Sequence, residues 1–344
     1  MMKRRTFAQL SMGLLGGTAL RPFWESPRST PLSSPSLIKS KGIKKGDTVG
    51  IISPSGAIRP GQLDEAKKIL KGMGLKAHPA PNCNGHYGYF SGTDEERLAD
   101  IQYCLEQEEI DAIWCLRGGY GLTRILDKID YKLFRERALA VVGYSDITAL
   151  HMALYTQAGL VSFHGPVLIS DFNTYVERQA TKVLQNQEHP PFIPPYREHE
   201  VEVLREGKAE GRLLGGNLSL MAAMAGTPYL PSLKDAIVFI EDVEEEPYRI
   251  DRMLTQLVHT ADLNSAAGII LGQFAGCEKK PEDNYSFTLR ETLDSFLREW
   301  DVPVLYNFSI GHIKKQCTVP HGISARIETN KPGIQLLESP IDLP

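Results

Sequence analysis

The chain has 344 residues, long enough for two domains each with its own core. It is 42% hydrophobic and 23% charged with a formal net charge of -4, a globular composition that gives no electrostatic case for nucleic acid. No apolar run reaches the length needed to cross a bilayer, and five cysteines without a Cys-x-x-Cys favour neither a disulfide framework nor structural zinc.

The first residues differ from the rest. Lys3, Arg4 and Arg5 precede a modestly apolar run from Leu10 to Leu20, which is the layout of an export signal over residues 1–26. The pair Arg4-Arg5 followed by Thr6-Phe7 points to the twin-arginine type. The plainer reading of the same residues is a basic tail beside a short helix. Residues 27–42, rich in Pro and Ser, read as a flexible lead-in. A working signal places the mature protein in the periplasm with no integral membrane segment; without one the chain stays cytoplasmic.

From Gly46 the pattern alternates. A strand over Gly46–Ser53 ends at Pro54-Ser55-Gly56, and a helix follows with Leu63, Ala66, Ile69 and Leu70 at helical spacing. Thr93 and Glu96 form a capping box for the next helix. Then come a strand over Ala112–Leu116, the glycine loop Arg117-Gly118-Gly119-Tyr120-Gly121, a helix near Leu122–Lys128, and a strand over Ala138–Val142. That last strand runs into Gly143-Tyr144-Ser145-Asp146 and a further helix. Strands alternating with helices predict a parallel sheet with helices on its faces over residues 43–175, with sites at the carboxyl ends of its strands. The three loops that follow strands therefore gather at one edge.

Residues 176–206 carry prolines and charges and read as a linker. Residues 207–335 form a second, β-rich part, with strands over Ala236–Ile240, Gly268–Leu271, Val302–Tyr306 and Ile323–Ile327 and a helix opening at Pro247. Leu214-Gly215-Gly216-Asn217 reads as a second glycine-rich loop, and residues 336–344 as a tail. The predicted fold class is α/β: an N-terminal parallel-sheet domain with a second, β-rich C-terminal domain.

Ser145 sits at a strand-to-helix bend, where a side-chain oxygen projects above the sheet and backbone N–H groups point the same way. Two readings fit: a helix cap, or a nucleophile beside an oxyanion hole. A nucleophilic serine needs a base and an acid to orient it. His312 (in SIGHIKK) and His321 (in TVPHG) are the candidate bases, and Glu241 and Asp242, ending an apolar strand, are the candidate acids. The order Ser, Glu, His is that of α/β-hydrolases, although Gly143-Tyr144-Ser145-Asp146 is not their Gly-x-Ser-x-Gly. The Arg117–Gly121 loop offers bare backbone N–H groups as a second oxyanion donor, or is a plain turn. Nine histidines occur, but no His-Glu-x-x-His or comparable spacing does.

Taken together these pieces resemble the LD-carboxypeptidase family, the S66 serine peptidases that include murein tetrapeptide carboxypeptidases and microcin C immunity peptidases. The matching segments, in family order, are IISPSG at 51–56, YFSGTDEERLADIQ at 89–102, IWCLRGGYG at 113–121, VVGYSDITAL at 141–150, FHGPV at 163–167, EGRLLGGNLSLM at 210–221, FIEDVEEEPYRIDRML at 239–254, IILGQF at 269–274 and IGHIKKQCTVPHG at 310–322. The resemblance implies a Rossmann-like N-terminal domain carrying Ser145 as nucleophile and a β-rich C-terminal domain carrying His312 as general base and Glu241 as its orienting acid. It further implies oxyanion donors from the N–H of Asp146 and of Gly118 or Gly119, and no metal or other cofactor. Arg117 and Asn217 stand as substrate-binding candidates, Arg117 for the free carboxylate of an exopeptidase substrate. The implied substrate is a muropeptide cut at an L-D bond to release terminal D-alanine, and the implied assembly is a homodimer. Rival expectations are an immunity-type peptidase of the same family acting on a peptidyl nucleotide, and a non-catalytic periplasmic peptide binder. Many relatives of this kind recycle murein in the cytoplasm; the export layout favours trimming of the wall instead.

Overall fold

The computed structural model describes residues 35–185, 190–197 and 200–342. The segment 1–26 read as an export signal lies outside them. Among the described residues no helix is long and apolar enough to cross a membrane.

The first half runs β1 (Thr48–Ile52), α1 (Gln62–Gly72), β2 (Lys76–Pro79), α2 (Asp94–Glu106), β3 (Ala112–Cys115), α3 (Tyr131–Arg137), β4 (Ala140–Gly143), α4 (Thr148–Ala153), β5 (Ser162–His164) and α5 (Thr174–Leu184). β3 and β4 are continuous apolar runs with every residue buried, as strands covered on both faces must be. α1 buries Ala66 and Leu70 and places Asp64 and Glu65 in its first turn, where negative charge suits the helix dipole. α2 opens with the Thr93–Glu96 capping box, both hydrogen bonds formed. The strands pair in parallel in the order β2-β1-β3-β4-β5. The order reverses between β1 and β3, which opens a crevice at their carboxyl ends.

The second half adds β6 (Phe192–Ile193), β7 (Glu202–Arg205), β8 (Lys208–Asn217), α6 (Leu218–Ala223), β9 (Ile237–Val243), α7 (Pro247–Ala261), β10 (Gly268–Ala275), α8 (Leu289–Leu297), β11 (Val304–Tyr306), β12 (Val319–His321), β13 (Ser324–Glu328) and β14 (Ile334–Leu336). Its eight-stranded sheet has the order β6-β14-β13-β8-β9-β10-β11-β7. The centre, β8 to β11, is parallel and the flanks are antiparallel. The chain is thus α/β, with a mostly parallel first sheet and a mixed second one. β12, from the second half, crosses over and pairs antiparallel with β5 at the edge of the first sheet.

Several sequence expectations shift here. The helix expected near Leu122–Lys128 is two 3-10 turns, because Leu122 N–H is drawn 2.9 Å from the Asp146 carboxylate and the chain closes i to i+3 from there. The strand expected from Ala138 begins at Ala140, since α3, capped by the Asp130 side chain, ends with Ala138 in the left-handed region. The segment 176–206 is more than a linker: it carries most of α5 and then β6 and β7, the outermost strands of the second sheet, where prolines cost no ladder bonds. The lead-in and tail are also tied down in their described parts. Ile38 bonds to Gly159 and Val161, and Asp342 N–H donates to Ser40.

Leu214–Asn217 is the end of β8 rather than a loop. Gly216 has φ +147, and a Cβ there would lie 2.5 Å from Thr148 Oγ1 at the start of α4. The bare glycine lets the second sheet approach the helix behind the first sheet's β4, and Asn217 N–H then donates to Thr148 Oγ1 at 3.0 Å. Gly216→Ala is expected to cost about 1–3 kcal/mol through overpacking, seen as a lower thermal unfolding midpoint; an unchanged midpoint contradicts this account of the contact.

Candidate active site

β4 ends at Gly143, and Ser145 opens the turn Ser145–Ile147 with φ +65. A serine in the left-handed region is strained by about 1–2 kcal/mol, so the surroundings must impose it. The Arg117–Gly121 loop packs closely against it. A Cβ on Gly118 would stand 2.9 Å from Ser145 Cβ, a place only glycine can occupy. The N-cap positions of the turn and of α4 are Tyr144 and Ile147, not Ser145, and no side-chain cap hydrogen bond forms at either. Of the two readings of this serine, the helix cap therefore finds no support.

Behind the serine, Asp146 is fully buried. Its Oδ2 accepts from Ser55 Oγ at 2.6 Å and from Leu122 N–H at 2.9 Å. Burial pushes this carboxyl up from its ordinary value. One side chain thereby ties the loops after β1 and β3 to the bend after β4, which is how the three strand-end loops meet.

The second sheet supplies the other two groups. Glu241 lies in β9 with no exposure, and its Oε2 sits 2.7 Å from His312 Nδ1. His312 is in the loop after β11, its side chain 19% exposed. Burial alone pushes the His312 imidazole down, but the hydrogen bond and charge of Glu241, aided by Asp242 and Glu244, carry it above its ordinary value. Strand alternation decides between the two acids. Asp242 faces the other way and accepts from Asn217 Nδ2, Val243 N–H and both the N–H and hydroxyl of Ser219. Burial pushes Asp242 up to about 6.

Ser145 and His312 line one cleft of about 310 Å³ together with Arg117, Gly118 and Gly119 from the loop after β3. Arg117 is fixed at its edge, its guanidinium donating to the Ala57 carbonyl. Asn217 does not line this cleft. It is buried, donating to Asp242 and capping α6 by accepting from Leu220 N–H. His321 lies on β12 without exposure, and burial holds its imidazole well below the ordinary value.

Sequence reasoning missed Tyr144, Val167, Ile169 and Ser170, which complete the lining. The Tyr144 ring packs against His312 with centroids 4.8 Å apart. A signal for the other three existed: they follow β5, and the rule that places loops at strand ends applies there as well.

The LD-carboxypeptidase N-terminal domain model matches residues 49–165, and the C-terminal domain model of the same family matches residues 210–327. A Bacillus subtilis (strain 168) protein described as a probable murein peptide carboxypeptidase is 39% identical over 85% of this chain and 92% of its own. The crystal structure of muramoyltetrapeptide carboxypeptidase from Oxalobacter formigenes is 30% identical and superposes with a TM-score of 0.73, covering 84% of this chain and 97% of that one. The Escherichia coli microcin C7 self-immunity protein MccF is 26% identical over 85% of this chain and 94% of its own. Its inactive-mutant apo structure shares the fold, with a TM-score of 0.80 at 24% identity over 89% of this chain and all of that one. By the two matched domains and the extent of these likenesses, the chain belongs to the LD-carboxypeptidase family.

Proposed function

We propose that the protein is a serine LD-carboxypeptidase that removes terminal D-alanine from murein tetrapeptides. The observation that carries the reading is the Glu241–His312 pair, 2.7 Å apart, whose histidine lines the same cleft as Ser145. In this reading His312 takes the Ser145 proton, and the serine oxygen attacks the carbonyl of the L-configured residue before D-alanine. The N–H groups of Asp146 and of Gly118 or Gly119 receive the developing oxyanion. His312 returns the proton to the leaving amine, and water then hydrolyses the acyl-enzyme with His312 again as base. Glu241 fixes the ring orientation and stabilises the imidazolium. Arg117, the cation at the cleft edge, pairs with the substrate's free carboxylate.

The murein reading stands ahead of the immunity-type one because identity to the murein enzyme is higher, 39% against 26%. The export layout of residues 1–26 supports a role in trimming the wall from the periplasm, and the family resemblance supports a homodimer. Incubation with a tetrapeptide ending in L-centre diaminopimelate–D-alanine is expected to release D-alanine, while an isomer with a D-D terminal bond is left intact. Cleavage of both, or of a peptidyl nucleotide in their place, contradicts the reading.

The pH dependence follows from the same pair. A base must be neutral to accept the proton, and the neighbouring carboxylate raises His312 above the ordinary imidazole value. The acid limb of kcat/KM is therefore expected above about 6.5. In Glu241→Gln the hydrogen-bonded charge of Glu241 is lost and burial is opposed only by Asp242 and Glu244, so the limb moves to lower pH. The same variant is expected to lose about 10³-fold or more in kcat. A limb that stays in place in the variant separates Glu241 from the base.

A further inference from the structure

Tyr144 touches both the serine turn and the base, and the proposed chemistry gives it no task. It stands between β4 and the turn that Ser145 opens, and its carbonyl accepts from Ile147 N–H at 3.3 Å within that turn. Its side chain lines the cleft and meets His312, with ring centroids 4.8 Å apart and planes tilted by 54°. One residue therefore holds the serine turn through its backbone and contacts the base through its ring, although the two groups come from different halves of the chain.

The ring is itself braced. His164 of β5 meets it edge-on, 6.1 Å between centroids at 74°. His164 has no exposure, and neither of its ring nitrogens has a hydrogen-bond partner among the described residues. Burial holds its imidazole well below the ordinary value. It is a neutral support, which backs the tyrosine without repelling a charged His312.

Glu241 alone does not fix the base. Gly311, just before His312, has φ +113, and a Cβ there would stand 2.7 Å from Glu241 Oε2, so the loop lies directly on the acid. The hydrogen bond at Nδ1 then anchors one atom of the imidazole and leaves the ring free to rock about that contact. A second contact is needed to aim the other nitrogen, and Tyr144 is placed to make it. An aromatic ring also attracts a cation within about 6 Å, more strongly where water is excluded. His312, its side chain 19% exposed, is that cation each time it takes a proton. The other charged and titratable groups around it are Glu241 and Asp242 of β9, Glu244 beyond them, His164 and Arg117. The three acids favour the imidazolium, His164 is neutral and Arg117 carries like charge.

We propose that Tyr144 is a positioning residue for the base: its ring keeps the His312 imidazole aimed at Ser145 and stabilises the imidazolium formed when the serine gives up its proton. This rests on the carboxypeptidase reading, in which His312 is the base, and adds a second support to it.

The test follows the NMR titration of the His312 ring, assigned by the signal lost in His312→Gln. Tyr144→Phe keeps the ring and is expected to keep the wild-type midpoint. Tyr144→Leu keeps the surroundings apolar but removes the aromatic face, so the imidazolium loses a partner and the midpoint falls by about half to one pH unit. Tyr144→Phe with two and then three ring fluorines keeps the shape while drawing charge from the face, and is expected to lower the midpoint stepwise even if leucine disturbs the packing. On the alkaline plateau, Tyr144→Leu is expected to slow labelling of Ser145 by a fluorophosphonate about tenfold, with Tyr144→Phe near wild type. Equal midpoints in the phenylalanine, leucine and fluorinated variants overturn the role of the ring. So does a phenylalanine variant displaced as far as leucine, which assigns the effect to the hydroxyl. Neither measurement uses a peptide, so both are read independently of D-alanine release from tetrapeptide, which tests the carboxypeptidase reading.

Discussion

The cleft depends on a carboxylate kept out of water. Glu241 has no exposure, and of its two oxygens only Oε2 has a hydrogen-bond partner among the described residues. A buried acid in this position is costly unless a positive charge comes to it. The group placed to acquire one is His312, through Nδ1, and the other ring nitrogen is left for the cleft. In the proposed mechanism that imbalance is the source of the base's strength: each time His312 takes a proton, it completes a pair that the resting protein holds unfinished.

The rest of the fold brings that pair to the serine. Ser145 belongs to the first sheet and Glu241 to the second, so the constellation exists only while the two sheets stay docked. Gly216 and Asn217 against Thr148 make one such contact, immediately behind the bend that carries Ser145. β12 makes another by crossing from the second half to pair with β5. Asp146 does locally what these contacts do globally, binding Ser55 and Leu122 so that three loops share one edge.

The sequence was informative wherever local chemistry decides structure. The apolar runs of β1, β3 and β4, the Thr93 capping box and Pro247 at the start of α7 are all set by neighbouring residues, and all are found in place. The ordered motifs carried the family. Legibility failed where a distant partner decides. The turns after Gly121 are shaped by Asp146, 24 residues away from Leu122. Gly215 and Gly216 look like a loop until β9 is laid beside them. Asn217 looks available for substrate until Asp242 and Leu220 are found to take its side chain. Ser145 itself was ambiguous, because the cap and the bent, strained serine share one local sequence, and only the left-handed φ and the missing cap hydrogen bond separate them.

The measurement closest to the central claim is D-alanine release from an L-D murein tetrapeptide by wild type and by Ser145→Ala, each with and without a metal chelator. The account predicts release by wild type in both conditions and none by the variant at matched folding. Release by both proteins, or wild-type activity that disappears with chelator and returns with zinc, contradicts it.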